Sequence, residues 1–273
     1  MGFPVSLTDA RGTTLALKTP PRRIVSLVPS TTETLFALGV GDHLIGVTKF
    51  CEEPAAGVRD KEKVGGTKDP DLAAIRALAP DLVLANLEEN RKEDIEAIAD
   101  LPVFVQYPRT VTETARELRV LGALVGRTEA AEGQARGIEE ARAEISAKSA
   151  LAPPIRVAYL IWRGPYWAVG EDTYVADLLR TCGAVNSFAD RRERYFEITL
   201  EDLARGRPDV ILLPSEPFPF SEKHLADFAG RTDIPAVAAN RVLLADGKFL
   251  SWHGVRTAPG LRYLWRILGE VRR

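Results

Sequence analysis

The stretch Leu200-Glu-Asp-Leu-Ala-Arg-Gly-Arg-Pro208-Asp209-Val-Ile-Leu decides the fold once it is set beside Leu72-Ala-Ala-Ile-Arg-Ala-Leu-Ala-Pro80-Asp81-Leu-Val-Leu. The two align without a gap at an offset of 128 residues. Each reads as a short amphipathic helix, a Pro-Asp break, and a β-branched or leucine run that predicts a strand. Two further matches keep the same order at an offset of 133: Arg23-Ile-Val-Ser-Leu against Arg156-Val-Ala-Tyr-Leu, and Leu101-Pro-Val-Phe-Val against Ile234-Pro-Ala-Val-Ala. Self-similarity at a fixed spacing marks internal duplication, and 273 residues have room for two small units.

Outward from these segments, short apolar runs alternate with helical patterns. Strands are predicted at 24–28, 44–48, 82–85 and 102–106 in the first half, and at 156–161, 209–213, 235–238 and 241–245 in the second. Runs without polar alternation are buried on both faces, which implies parallel sheets covered by helices. The expected fold class is α/β: two doubly wound, Rossmann-like lobes joined by a long α-helix, with a ligand cleft between the lobes. The join, 110–150, is rich in Ala, Glu and Arg. Thr110 and Glu113 have capping-box spacing, Gly122 and Gly126 suggest a stop, and a second helix from about 129 to 148 would run on the order of 30 Å. The expected division is therefore 1–109, 110–150 and 151–273, with a stiff join that limits opening and closing.

Composition excludes several classes. The chain has 36 Lys+Arg against 38 Asp+Glu and a net charge of −2, so it lacks the basic stripe that neutralises phosphates and nucleic acid is not an expected partner. No apolar run approaches the roughly 20 residues of a membrane span. Residues 1–23 carry Asp9, Arg11, Lys18, Arg22 and Arg23 with no apolar stretch of signal-peptide length, so nothing in the sequence as written directs export. Two cysteines and three histidines furnish neither a disulfide framework nor a multi-histidine metal site.

In open parallel sheets, ligands bind outside the carboxyl ends of the strands, so the strand-end loops are the candidate walls. The first half offers Pro29-Ser30-Thr31-Thr32-Glu33, whose hydroxyls could cap a helix, then Lys49-Phe50-Cys51, Gly65-Gly66-Thr67 and Gln106-Tyr107-Pro108. The second half is more aromatic. Trp162-Arg163-Gly164-Pro165-Tyr166-Trp167, Tyr195-Phe196, Phe218-Pro219-Phe220 and Ser251-Trp252-His253-Gly254 place large rings in predicted loops, while Trp265 falls in the last helix as core. Together the rings suit a broad flat ligand held by stacking, and Arg163 and Arg256 suit polar groups on its rim. Ser30, Phe50, Tyr107, Tyr166, Trp167 and Trp252 join the candidate ligand site on this ground.

Catalytic constellations are scarce: no Walker loop, nucleophile elbow, dinucleotide fingerprint or His-Glu-x-x-His pair occurs. Glu52 and Glu53 beside Cys51 raise a thiol pKa, Cys182 reads as a small buried hydrophobe at a helix end, and His253 has no nameable partner. The sequence reads as a binder that is not an enzyme, with no catalytic residue and no catalytic cofactor.

These residues resemble the ABC-importer substrate-binding proteins for siderophores, haem and cobalamin, and most of all the cobalamin branch. The resemblance rests on Arg23-Ile-Val-Ser-Leu-Val-Pro-Ser-Thr-Thr-Glu-Thr-Leu-Phe-Ala-Leu-Gly39, on the two Pro-Asp segments, and on Leu178-Leu-Arg-Thr-Cys182-Gly183-Ala-Val-Asn186; it runs from about residue 4 to the C-terminus. It implies two α/β lobes with a helical join, and ligand contacts at Thr67, Trp162, Tyr195, Phe196 and Arg256. It implies a monomer that delivers cobalamin or a related corrinoid to an ABC permease, in a periplasmic or cell-surface location, with a cytoplasmic one as the alternative. Departures are visible. Thr67 or Lys68 stands where some cobalamin binders have an aromatic, and Trp252 replaces an acid sometimes found before the final arginine. Of the two permease-docking acids that the family presents, the second half supplies Glu201, whereas the 128-residue offset puts Ala73 at the first. The alternatives are a ferric-siderophore or haem binder, using Lys49, Arg163 and Arg256, and a cytosolic corrinoid-handling enzyme or sensor.

Overall fold

A computed structural model of the chain describes residues 2–273. The chain separates into two compact units. The first takes the residues up to Pro108, with Glu113–Arg136 and His253–Val255; the second takes Arg109–Thr112, Gly137–Trp252 and Arg256–Arg273.

The first unit holds strands β1 (Val5–Thr8), β2 (Thr14–Leu17), β3 (Ile24–Ser26), β4 (Leu44–Val47), β5 (Glu62–Lys63), β6 (Leu82–Asn86) and β7 (Val103–Gln106). β1 and β2 form an antiparallel pair, and the other five form a parallel sheet in the order β5-β4-β3-β6-β7. Successive residues of a strand point to opposite faces. Ile24, Leu82, Leu84 and Phe104 enter one buried cluster, and Val25, Val83, Ala85, Val103 and Val105 enter another. Both faces are thus apolar, which is why these strands carry no polar alternation. The helix Val111–Leu124 closes the first face through Leu121 and Leu124, joined by Ala131 of the helix Thr128–Ser149. The predicted helical segments after residue 110 are therefore present, and the first of them belongs to the core of this unit.

The second unit holds β8 (Ile155–Trp162), β9 (Tyr166–Val169), β10 (Ala184–Asn186), β11 (Tyr195–Ile198), β12 (Val210–Pro214) and β13 (Val242–Ala245). β10, β8, β12 and β13 run parallel, and β9 and β11 add antiparallel strands onto β8. The sheet is mixed, which the expectation of a purely doubly wound unit did not include. The segment 235–238 is not a strand: Pro235–Ala238 is a helical turn begun by its proline, and the strand beside β12 is β13 alone. The match between Leu101-Pro and Ile234-Pro therefore pairs a strand with a helix.

The other two matches survive as physical detail. In each unit a helix ends on a left-handed residue, Ala79 at φ 43° and Arg207 at φ 45°, just before the Pro-Asp pair. Asp81 accepts the Arg23 backbone N–H at 2.9 Å, and Asp209 accepts that of Arg156 at 2.8 Å. The side chain of Arg23 donates to the carbonyls of Leu78 and Ala79, and that of Arg156 to the carbonyl of Gly206, so each arginine satisfies orphan carbonyls at a helix end. Among the described residues no helix is long and apolar enough to cross a membrane.

Candidate functional site

At the carboxyl ends of the first unit's strands lies a polar, buried platform. β3 runs into the helix Pro29–Ala37, with proline in its first turn. Val28 is the N-cap and no side chain caps the helix, so the expectation that Ser30 to Thr32 act as caps is not met. Their hydroxyls are instead buried inside: Thr31 donates to Gln106 Oε1 at 3.2 Å, and Thr32 to the Val28 carbonyl at 3.0 Å. Ser30, a predicted ligand contact, is buried with its Oγ 3.4 Å from His253 Nε2.

His253, read from the sequence as partnerless, has two partners. Asn86 Nδ2 lies 3.3 Å from the same Nε2 and is a donor, so Nε2 accepts and the proton sits on Nδ1. Burial pushes this imidazole down to about 4, and it is neutral at physiological pH. Gly254, at φ 89°, lets the chain pass against Thr34, whose Oγ1 is 2.3 Å from where a Cβ would stand. A cavity of about 10 Å³, the room of one water, lies between Gln106, Glu117, Thr31 and His253.

The rest of this wall is looser. Asn90 donates to the carbonyls of Leu27 and Thr67 and holds the Gly-Gly-Thr turn against β3. Thr67 and Tyr107 are half-buried, and Phe50 is 51% exposed with Lys49 Nζ 5.3 Å from its ring centre. Lys49 also pairs with Asp69 at 3.3 Å, both side chains exposed. Cys51 is raised, but the first cause is burial rather than the neighbouring glutamates; Thr32 and Thr48 hydroxyls lie 3.2 Å from its Sγ. Cys182 is buried and pushed up to about 12 by desolvation, as a packing residue would be.

In the second unit two of the four expected aromatic loops, those at Trp162–Trp167 and Tyr195-Phe196, are largely strand. β8 turns through Gly164-Pro165 into β9, and β11 adds to β9, so Tyr166, Trp167, Tyr195 and Phe196 lie in an antiparallel ribbon. Register then sorts them. Trp162 opposes Trp167, Glu197 opposes Trp167, and Tyr195 opposes Val169. Residues opposed across antiparallel strands share a face, so Trp162, Trp167 and Tyr195 line one side of the ribbon. The bulge between Leu160 and Trp162 brings Trp162 onto that side. Trp162 is 46% exposed and Trp167 36% exposed, while Arg194 lies 5.6 Å from the Tyr195 ring. The opposite side carries Tyr166, Ala168, Phe196 and Ile198 into the core, where Phe196 meets Phe188 edge-on at 5.7 Å. Phe196 and Tyr166 are therefore supports of the face rather than part of it.

Three further corrections follow from packing. Trp252 is only 7% exposed: its Nε1 donates to Glu216 at 2.6 Å, and Lys248 and Arg256 lie 5.3 and 5.2 Å from its ring centre, so it offers no open stacking surface. Arg163 is not a rim cation but a partner of Asp227, which also accepts the Tyr166 hydroxyl at 2.7 Å. Trp265 is half-buried under Arg272, not core. Arg256 lies over both Phe249 and Trp252, which fixes its guanidinium beside the indole. Phe218, seen in the sequence as one of several loop rings, meets Trp162 edge-on at 5.6 Å and extends the aromatic face.

Glu201 and Ala73 each occupy the second position of their helices, Leu200–Gly206 and Leu72–Ala77, and both are exposed. Glu201 accepts from Arg231 at 3.1 Å. Among the described residues, no group of three or more His, Cys, Asp or Glu could hold a metal ion.

Over residues 24–248 the sequence matches the family described as periplasmic binding protein. An uncharacterized ABC transporter substrate-binding lipoprotein, YvrC, of Bacillus subtilis strain 168 is 27% identical, with 96% of this chain and 84% of that protein aligned. A vitamin B12-binding protein of Pectobacterium atrosepticum is 28% identical over 71% of each chain. The apo form of the periplasmic heme-binding protein RhuT from Roseiflexus sp. RS-1 shares the fold at a TM-score of 0.82 and 23% identity, over 92% of this chain and 99% of that one. With the repeated Arg, left-handed and Pro-Asp device in both units, and the match spanning most of the chain, this protein belongs to the periplasmic binding protein family.

Proposed function

We propose that the chain reversibly binds a bulky, largely planar ligand, a corrinoid such as cobalamin, and delivers it to an ABC importer. The observation that carries this reading is the face formed by Trp162, Trp167 and Tyr195, with Phe218 at its edge. The two tryptophans stay 46% and 36% exposed in their own unit, and they offer the flat apolar area that a macrocycle covers. The relatives named as vitamin B12-binding and as ABC transporter substrate-binding proteins support the same direction. Glu201 is the proposed docking acid for the permease. Ala73 supplies no counterpart, so docking here would rest on one unit's acid. The chemistry proposed is binding and release, with the corrinoid as cargo.

Haem is the second reading, favoured by the fold shared with a heme-binding protein and by the same flat face. A ferric siderophore fits less well, because Lys49 and Arg163 are engaged by Asp69 and Asp227. Tryptophan fluorescence and melting temperature, followed during titration with cobalamin, cobinamide, haemin and a ferric hydroxamate, test the reading. The corrinoid should quench Trp162 and Trp167 emission and stabilise the protein by about 2.7 kcal/mol at a hundredfold excess over Kd. Quenching and stabilisation by haemin alone would transfer the assignment to haem, and no response to any of the four would overturn the binding reading.

A further inference from the structure

The row of side chains that carries the aromatic face ends on a charge. Trp162 of β8 opposes Trp167 of β9, and Trp167 opposes Glu197 of β11. Residues in register across adjacent antiparallel strands stand on one side of the ribbon, with directly opposed Cβ atoms about 5 Å apart. The Glu197 carboxylate is therefore within reach of the rim of anything that lies over the Trp167 ring. Tyr195, two residues earlier on β11, shares the same side.

Nothing else in the second unit uses this glutamate. It is exposed, and among the described residues neither a hydrogen bond nor an ion pair engages its carboxylate. The arginines of the ribbon are committed elsewhere. Arg194, beside the Tyr195 ring, donates from Nε to the Asp172 carbonyl at 2.6 Å and lies 3.6 Å from that residue's carboxylate. Arg163 is bound by Asp227, and Arg191 lies over the ring of Phe196, which points to the opposite side. Glutamate is also depleted in strands, so forming β11 does not call for it.

A carboxylate at the end of two exposed indoles has a defined chemical preference. Aromatic faces carry negative potential and the carboxylate adds a full charge, so the row attracts cations and N–H donors. A carboxylate on the ligand meets the same charge with the opposite sign of energy. Both effects act on the rim of a flat ligand, because its ring system lies on the tryptophans.

We propose that Glu197 sets the specificity of the aromatic face: it selects flat ligands whose rim carries amide N–H groups or positive charge, and rejects those whose rim carries carboxylates. This rests on the face being the cargo site. Within that reading it favours a corrinoid, rimmed with amides, over haem, which carries two carboxylates.

The test holds the macrocycle constant and changes only its rim. Dicyanocobinamide, rimmed with amides, and dicyanocobyrinic acid, which carries carboxylates in their place, are titrated into the native protein, Glu197→Gln and Glu197→Lys, with tryptophan fluorescence as the readout. The native protein should prefer the amide ligand by about tenfold or more, and added salt should shrink that ratio. Glu197→Gln should narrow it by at least about threefold, and Glu197→Lys should narrow it further. Both variants change an exposed side chain, and melting curves confirm that they fold. A ratio unchanged in both variants would overturn the role of Glu197 and leave the cargo face standing, because both ligands would still bind. A change in self-association alone, with the ratio intact, would make Glu197 a guard of the edge strand β11 and would overturn the proposal as well. Binding of neither corrinoid to the native protein would overturn the corrinoid reading and this proposal together.

Discussion

Replacing His253 by glutamine should remove a stability loss that the native chain suffers on mild acidification. In the unfolded chain the imidazole takes up a proton near its ordinary value of about 6.5. In the folded protein burial holds that event down to about 4, and Nε2 is engaged by Ser30 and Asn86. Between these values the unfolded state binds more protons than the native state, so stability falls as pH falls. The contribution is fully present above about pH 6.5 and is lost as pH drops toward 4. At about 1.4 kcal/mol per pKa unit the loss reaches roughly 2–3 kcal/mol by pH 4.5. Part of the residue reaches solvent, which makes that figure a ceiling. Glutamine keeps a polar group within reach of Ser30 and Asn86 and does not titrate. Burial raises Glu117, beside the same small cavity, and its effect runs in the opposite sense: stability present at low pH is lost as pH rises through its folded value. Both proteins share that term, so the difference between their urea-unfolding free energies, followed from about pH 7.5 to about pH 4.5, isolates the histidine. Parallel pH profiles for the two proteins would refute the reasoning.

Other consequences are equally direct. Trp167→Ala and Trp162→Ala should each weaken binding of the proposed macrocyclic ligand by about tenfold, roughly 1.4 kcal/mol, with a smaller loss of melting temperature than a fully buried tryptophan would give because the two are 36% and 46% exposed; titration of the purified variants reads this. Ala79→Gly and Arg207→Gly should each stabilise the protein by about 0.5–1 kcal/mol in denaturant unfolding, since both positions hold a left-handed backbone that glycine adopts without strain. The guanidinium of Arg163, then the Tyr166 hydroxyl, holds the Asp227 carboxyl down to about 2. Its contribution is present above about pH 3.8 and lost as pH falls toward 2, so Asp227→Asn should flatten the acid limb of the unfolding profile over that window.

What could be read from the sequence followed from local chemistry. The parallel core strands were legible because residues such as Ile24, Val25, Leu82 and Val83 are buried on both faces and leave an uninterrupted apolar run. The duplication was legible at Pro80-Asp81 and Pro208-Asp209 because the proline and the acid perform the same backbone task in each unit. Ile234-Pro-Ala-Val-Ala misled because three apolar residues after a proline serve a helical turn as well as a strand. The ribbon was missed for a different reason. Tyr166-Trp167 and Tyr195-Phe196 form runs too short to show a period of two, and only the register across β9 and β11 separates Trp167 and Tyr195 from Tyr166 and Phe196. Trp252 looked available because a sequence does not reveal that Glu216 accepts its indole N–H.

The proposed ligand specificity falls to the parts of the fold that do not repeat. The elements that repeat between the units, the Arg23 and Arg156 clips and the parallel strands they anchor, make backbone hydrogen bonds and bury aliphatic side chains, tasks that depend little on the cargo. The exposed aromatic face stands on β9 and β11, antiparallel strands with no counterpart in the first unit's parallel sheet. A scaffold built twice is free to vary where one copy departs from the other, because substitutions there leave the shared packing intact. Transplanting Trp162–Ile198 between relatives that carry different cargoes should therefore move ligand preference with the ribbon, whereas exchanging the Pro-Asp segments should change stability and leave preference where it was.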